Sequence, residues 1–411
     1  MTSRRNFLRT AAAVGLAPAV IGSAAKNDAR RSDILSKIQR QDYKGLTRED
    51  LPTPCLVLDH DMFEYNVQRM ANHGKTTGIN IRPHVKIHKC VDIAKRQIAL
   101  GAIGLTVATC AEAELMSGAG CKNVFWTRQP VGKNNTLRAM ALAKKDPTFI
   151  MVVDDPMIAD RLEEAAAATN TKANVAVDIF AGMARHGIEP GQPGIDLAQK
   201  VHRSKHLKFA GFMGYAGGAA HTHGFETRRK RSQSAVAGLV ETANMAKAAG
   251  LPVGFISGGS TGTYNIDKEW GLTELECGSY IFMDTSYTHI GSKTNEKEYD
   301  DWKPSLTLMT TIVSKRHPNQ VTIDAGNKAL LRATDEVKDS PWLTIFQQGA
   351  EYGGLRWKDT APRDLDLGNR MDIYTTNLDM TVNNYDKIYV AKAEQIVDVW
   401  PIMGRSGAAQ R

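Results

Sequence analysis

Cysteine is scarce and scattered in this chain of 411 residues: Cys55, Cys90, Cys110, Cys121 and Cys277 form no close pair, and their number is odd. No zinc-finger spacing is present and nothing in the pattern requires or locates a disulfide, so all five read as small buried hydrophobes. The sequence also lacks an internal repeat at solenoid periods and any low-complexity tract beyond its leader, which excludes repeat architectures. The apolar run Ala11 to Ala25 is short and rich in alanine and glycine, a poor membrane anchor. Charge of one sign is modest. The formal net charge is +8, of which Arg4, Arg5 and Arg9 supply three, and the remaining +5 is too mild and too evenly spread to suggest nucleic acid. What is present is an ordinary globular composition, 42% hydrophobic with 7% aromatic, on a chain long enough for one large domain and a smaller one.

The first residues carry an address. Ser3-Arg4-Arg5-Asn6-Phe7-Leu8-Arg9, followed by small apolar residues ending near Ser23-Ala24-Ala25, reads as a twin-arginine export signal over 1–26. The expected location is periplasmic or secreted, with the twin-arginine export machinery as a partner and no stable membrane anchor. That route carries proteins already folded, so a cofactor would be loaded in the cytoplasm.

After a polar segment to Asp50, Thr53 to Asp59 has strand composition, and a helix follows with Met62, Tyr65, Val67 and Met70 as its apolar residues. Asp59 or Asp61 can cap it, and Gly74 and Gly78 are expected to close it. The chain then alternates. Apolar runs at Ile79–Val85, Gly104–Ala108, Val124–Trp126, Phe149–Val153, Val175–Ile179, Phe209–Tyr215, Val253–Ser257 and Leu275–Phe282 are each separated by a plausible helix. About eight strand-helix units in ~200 residues fit a parallel (β/α)8 TIM-type barrel, placed at 51–300. An open doubly wound sheet is the alternative, and the lack of a Gly-x-Gly-x-x-Gly turn after the first strand counts against its dinucleotide-binding form. Beyond Trp302 the runs Leu306–Val313, Gln320–Ile323, Met371–Tyr374, Lys387–Val390 and Gln395–Val399 are β-branched and alternating. They predict a C-terminal antiparallel β domain over 301–411, with strand 53–58 joining it.

Two stretches carry chemistry. Asn80 to Cys90 brings an apolar run to a polar cluster of Arg82, His84, Lys86, His88 and Lys89, as a barrel strand does when it delivers reactive side chains to its carboxyl end. Burial and neighbouring cations are expected to destabilise the proton of Lys86, and a neutral lysine can form a Schiff base. His84 and His88 stand close by as candidate acid–base groups. Ile256 to Tyr264, at the end of the seventh barrel strand, holds three glycines and three hydroxyl residues, and Gly259, Ser260 and Thr261 form a candidate phosphate cradle. A phosphate site opposite a strand-end lysine points to pyridoxal 5'-phosphate. Arg185, after the fifth strand, could reach the ring nitrogen, and Tyr215, after the sixth, could pack beside the ring. A barrel hydrolase or isomerase acting on phosphorylated substrates would use the same loop without that cofactor.

Arg82-Pro83-His84-Val85-Lys86-Ile87-His88-Lys89, Ser257-Gly258-Gly259-Ser260-Thr261-Gly262-Thr263-Tyr264, Asp324-Ala325-Gly326-Asn327-Lys328-Ala329-Leu330 and Val397-Asp398-Val399-Trp400-Pro401 resemble the D-threonine aldolase and D-serine dehydratase family of fold type III, alanine-racemase-like pyridoxal phosphate enzymes. The similarity runs from about Leu51 to Arg405. It implies Lys86 as the Schiff-base lysine, Arg185 near the pyridine nitrogen, and a homodimer in which the β domain of one subunit closes the barrel mouth of the other. The family holds a divalent metal with a His-x-Cys or His-x-Asp pair before a Thr-Val-Asn segment. Here Asn377 stands where histidine is expected, Asp379 keeps the aspartate, and the pair would suit Mg²⁺, Mn²⁺ or Ca²⁺ weakly, or no metal at all. Gly218 is a second departure where the family often has histidine, with His221 and His223 close behind.

The implied activity is that of a lyase on β-hydroxy-D-amino acids of D-threonine type, releasing glycine and an aldehyde. A D-serine or 3-hydroxy-D-aspartate dehydratase, an amino-acid racemase, and a protein that binds the cofactor without lyase activity are the alternatives.

Overall fold

The computed structural model describes residues 30–358 and 365–405, so the leader expected over 1–26 lies outside the described residues. Strand β1 (Cys55–Asp59) runs directly into the helix His60–Thr77, because the Asp59 carboxylate accepts the N–H groups of Asp61 and Met62. Gly78 ends that helix in the left-handed conformation, φ 71°. Gly74 does not close it; it lies inside the helix, where a Cβ would come within 2.9 Å of the Ile81 side chain. The buried face is Phe63, Asn66, Val67 and Met70, and Tyr65, expected among the apolar residues, is exposed because it points away from that stripe. Asn66 is satisfied within the interior, donating to the carbonyls of Ile281 and Lys303 and accepting from the Lys303 N–H.

Eight strands then form one parallel sheet: β2 (Asn80–Ile81), β3 (Leu105–Val107), β4 (Val124–Trp126), β5 (Ile150–Val153), β6 (Ala173–Asp178), β7 (Leu207–Gly214), β8 (Ile256–Gly258) and β9 (Glu274–Leu275). Their spatial order is β2-β9-β8-β7-β6-β5-β4-β3. The ends of this series meet through Ile103 N–H donating to the Ile81 carbonyl, Thr106 N–H donating to the Pro83 carbonyl, and a parallel bridge between His84 and Thr106. The fold is therefore the expected (β/α)8 barrel. Two runs stop sooner than their composition suggests. Pro83 has no N–H to donate, and the chain goes on into a 3-10 turn, Val85–Ile87, so Lys86 sits on a turn beyond β2. The run toward Phe282 keeps barrel bonds only as far as Cys277, whose carbonyl accepts the His84 N–H, and becomes a 3-10 turn at Ser279–Ile281.

Inside the barrel, Arg82 on the β2 side faces Glu274 of β9, with Nε to Oε1 at 2.9 Å and a second bond from the guanidinium to Oε2 at 3.1 Å. The same guanidinium donates to the Asn123 carbonyl at 2.6 Å, and both side chains are essentially inaccessible.

The second sheet takes β10 (Leu306–Ser314), β11 (Gln320–Ile323), β12 (Glu336–Val337), β13 (Thr344–Gln347), β14 (Gly353–Arg356), β15 (Arg370–Tyr374), β16 (Lys387–Lys392) and β17 (Gln395–Pro401). Its main path is β13-β14-β11-β10-β1-β16-β17, with β15 pairing both β10 and β12. All pairs are antiparallel except β1 with β16. β1 thus lies within the C-terminal sheet, and its period-2 alternation sends Leu56 and Leu58 to one core and Cys55 and Val57 to another, covered by Tyr43, Leu46 and Leu51. All five cysteines are free and buried.

The buried ion pair generates a stability prediction. Glu274→Gln leaves Arg82 charged and unpaired in the barrel interior, and is expected to lower the unfolding free energy by about 3–5 kcal/mol, read from denaturant midpoints.

Candidate active site

A parallel barrel presents all its strand carboxyl ends on one side, and a cavity of about 500 Å³ opens there. Lys86 reaches it from the turn after β2, Gly259 and Ser260 from the loop after β8, and Arg185 and Tyr215 from the ends of β6 and β7. His84 lines it as well. Its Nδ1 accepts the Lys86 N–H, which puts the ring proton on Nε2, and burial followed by the charges of Lys86 and Lys89 holds the imidazole well below its usual range, hence neutral.

Two sequence expectations for the site are corrected. His88 is fully buried, accepts the Cys90 N–H at 3.0 Å, and is pushed down to about 3 by desolvation; it is a neutral wall histidine outside the cavity. Thr261 also turns away from the cavity, its hydroxyl accepting the Tyr280 N–H and its carbonyl the Tyr299 hydroxyl. The loop is nevertheless completed from a place composition did not mark. Gly278 and Ser279, following β9, line the cavity beside Gly259 and Ser260, and the Ser260 hydroxyl meets the Tyr287 hydroxyl at 2.9 Å. Ser279 is the first residue of its 3-10 turn, so its N–H has no carbonyl within that turn to bond.

Lys86 is held differently from the expectation. Its Nζ is 2.6 Å from Asp379 Oδ2, on a short helix, Leu378–Asn383, contributed by the C-terminal region. Burial is the largest influence and lowers the amine, but the Asp379 carboxylate together with Tyr215 more than offsets it, and the net effect is a raised pKa. Lys89 is lowered, by burial first and against Asp379, and it ties the same helix in place through the Asp379 and Lys86 carbonyls. Its backbone is left-handed, φ 51°, a strained conformation for a lysine.

Asn377 and Asp379, read from the sequence as a weak metal pair, are put to other uses. Asn377 Oδ1 caps the helix by accepting the Met380 N–H at 3.1 Å, and Asp379 is bonded to Lys86. Among the described residues, no group of three or more histidine, cysteine, aspartate or glutamate side chains could hold a metal ion. The donor set does not fit a metal site.

It does fit pyridoxal phosphate. In that molecule the aldehyde and the phosphate arm sit on adjacent ring carbons, and the ring nitrogen is opposite the aldehyde. Lys86 follows β2, the Gly259–Ser260 and Gly278–Ser279 loops follow β8 and β9 beside it, and Arg185 follows β6, four places from β2 in either direction round the ring. Several lining groups were not singled out from sequence: Glu276, pushed up to about 7 mainly by burial, Gln129, and His186 with its partner Asp178. Only His186, directly after Arg185, had a local signal to follow.

Residues 58–286 match the alanine racemase N-terminal domain, and residues 305–391 match a serine dehydratase domain. The chain belongs to the alanine racemase N-terminal domain family. It is 29% identical to a 3-hydroxy-D-aspartate aldolase of Paracoccus denitrificans, over 88% of this chain and 94% of that protein. It is 29% identical to a D-threonine aldolase of an Arthrobacter species, over 86% of this chain and 92% of the other. The crystal structure of D-threonine aldolase from Filomicrobium marinum superposes with a TM-score of 0.82 at 30% identity, covering 88% of this chain and 97% of that one. These likenesses imply pyridoxal phosphate as the cofactor.

The ion pair makes a testable statement about cofactor loading. Because Asp379 keeps Lys86 protonated, Asp379→Asn lets burial dominate and lowers the amine's pKa. Cofactor-free Asp379→Asn protein is therefore expected to take up pyridoxal phosphate severalfold faster than wild type at neutral pH, followed by the rise of visible absorbance after mixing.

Proposed function

We propose that the chain is a pyridoxal-phosphate-dependent lyase that cleaves β-hydroxy-D-amino acids between Cα and Cβ, giving glycine and an aldehyde. The observation that carries this reading is the cavity in which Lys86 faces a Gly/Ser cradle on adjacent strand ends. The named aldolase relatives support the choice of bond.

When bound, the cofactor supplies an electron sink at the substrate's α-carbon. Lys86 would hold its aldehyde carbon, while Gly259, Ser260, Gly278 and Ser279 would hold its phosphate. Arg185, its guanidinium 5.8 Å from the Tyr215 ring centroid, would serve the ring nitrogen, and Tyr215 would pack beside the ring. His84, neutral with its proton on Nε2, is a hydrogen-bond donor in the wall. With Lys86 engaged by the cofactor, Asp379 Oδ2 would be free to accept the proton of the substrate's β-hydroxyl. Its Oδ1 is buried without a partner among the described residues, so the carboxylate has full capacity to accept.

Two further properties belong to the same proposal. Residues 3–25 would direct the folded, loaded protein to the periplasm, and a second copy of the chain would close the barrel mouth as a homodimer.

Purified protein incubated with D-threonine or 3-hydroxy-D-aspartate is expected to release glycine and the matching aldehyde, with Lys86→Ala at background. Release of ammonia and a keto acid instead would show a dehydratase, and turnover of neither substrate by cofactor-loaded protein would refute the lyase.

A further inference from the structure

We propose that Arg332 selects the substrate by holding a carboxylate on its β-carbon, so that the amino acids cleaved are β-hydroxy-D-amino acids with a second acid group. This rests on the lyase reading above and deepens it, because that reading fixes the bond broken and leaves the β-substituent open.

The site is a second chamber of about 360 Å³ that adjoins the cofactor cavity and shares Lys86, Tyr215, Ser279 and Tyr287 with it. Arg332 and Asp379 bring the C-terminal region into its wall. Every described residue that lines it carries a polar side-chain atom. A chamber of that composition offers a substituent hydrogen bonds and charge rather than aliphatic surface.

Arg332 is positioned by its backbone. Leu331 before it is buried and its carbonyl accepts the Gln347 amide at 2.9 Å, while the Arg332 N–H donates to Asp335 Oδ2 at 2.7 Å. The other oxygen of Asp335 accepts the Thr376 N–H and hydroxyl, at 2.7 and 2.8 Å. One carboxylate thus ties the arginine's segment to the residues that lead into the Asp379 helix. The Arg332 side chain is half-buried and its guanidinium donates to Met380 Sδ at 3.2 Å. A thioether is a weak acceptor, and among the described residues no carboxylate forms an ion pair with this guanidinium; Asp335, which feels its charge, bonds the backbone N–H instead. Its fork of donors is left for a ligand, and a planar guanidinium matches a carboxylate with two parallel hydrogen bonds.

Met380 directly follows Asp379, the residue that the proposed function gives to the β-hydroxyl. A hydroxyl and a carboxylate on one carbon are neighbours, so the acid group comes to Arg332 when the hydroxyl meets Asp379. The chamber's own carboxylates are engaged elsewhere: Asp379 Oδ2 lies 2.6 Å from Lys86, and Asp284 takes the Ser286 hydroxyl and the Leu378 N–H. In the cleavage, the β-hydroxyl proton passes to Asp379 Oδ2 and the oxygen's electrons close the aldehyde C=O. The Cα–Cβ electron pair stays on Cα, which then takes a proton. Glycine and glyoxylate leave, the latter carrying the carboxylate that Arg332 held, and no oxidant or reductant enters.

The test compares D-aspartate with D-2-aminobutyrate, which share their α-carbon groups and have no hydroxyl to lose, as ligands of cofactor-loaded protein titrated by visible absorbance. Wild type is expected to bind D-aspartate more tightly, Arg332→Gln to lose about 10–100-fold of that preference, and Arg332→Lys to keep part of it. In turnover, the ratio of kcat/KM for 3-hydroxy-D-aspartate to that for D-threonine is expected to fall by a similar factor in Arg332→Gln, chiefly through KM. Equal weakening of both ligands would put Arg332 on the α-carboxylate, and an unchanged preference would leave it a surface arginine; either overturns the proposal. So would a wild type that favours D-2-aminobutyrate. Loaded protein that shows the D-aspartate preference and its loss in Arg332→Gln, yet cleaves neither hydroxy acid, would support the carboxylate site and contradict the lyase reading alone.

Discussion

A closed ring of parallel strands can present its carboxyl ends on one side only, and everything at this site depends on that constraint. It sets the first ring strand, with Lys86, beside the last two, with Gly259–Ser260 and Gly278–Ser279, and opposite β6. Amine, anion cradle and far wall thus match the substitution pattern of a six-membered ring carrying an aldehyde, a phosphate arm next to it and a nitrogen across from it. The same constraint makes the ring's own integrity essential. Arg82 and Glu274 pin β2 to β9, between the lysine turn and the second half of the cradle.

The other domain acts on the site through charge. The helix Leu378–Asn383 delivers Asp379 to Lys86, and Lys89 ties its backbone to the barrel. A lysine at a cationic turn would by itself lose its proton readily; the carboxylate reverses that balance. In this family's resemblance Asp379 belongs to a metal pair, but Asn377 is occupied as a helix cap and the aspartate answers to the lysine instead. Asp379 therefore faces an amine and, in the proposed function, a substrate hydroxyl.

Much of this was legible in the chain. Buried parallel strands read as continuous apolar runs, so all eight barrel strands were visible, as was the helix cap at Asp59. Lys86, the Gly259–Ser260 loop, Arg185 and Tyr215, which line one cavity, were marked because each follows a recognisable strand. What escaped was set by distance or by brevity. β12 to β14 are two to four residues long, and β14 opens on two glycines. The charge state of Lys86 depends on a residue 293 positions away, which no local pattern reports. His88 was marked only for its nearness to Lys86, whereas the chain there is a 3-10 turn that carries it into the wall.

The central claim is that Lys86 is the amine that holds the cofactor. Borohydride reduction of pyridoxal-phosphate-loaded protein, followed by peptide mass mapping, tests it directly. The account predicts a phosphopyridoxyl group on the peptide bearing Lys86 and on that lysine within it. A label on Lys89 or on any other lysine, or none after reconstitution, would contradict it.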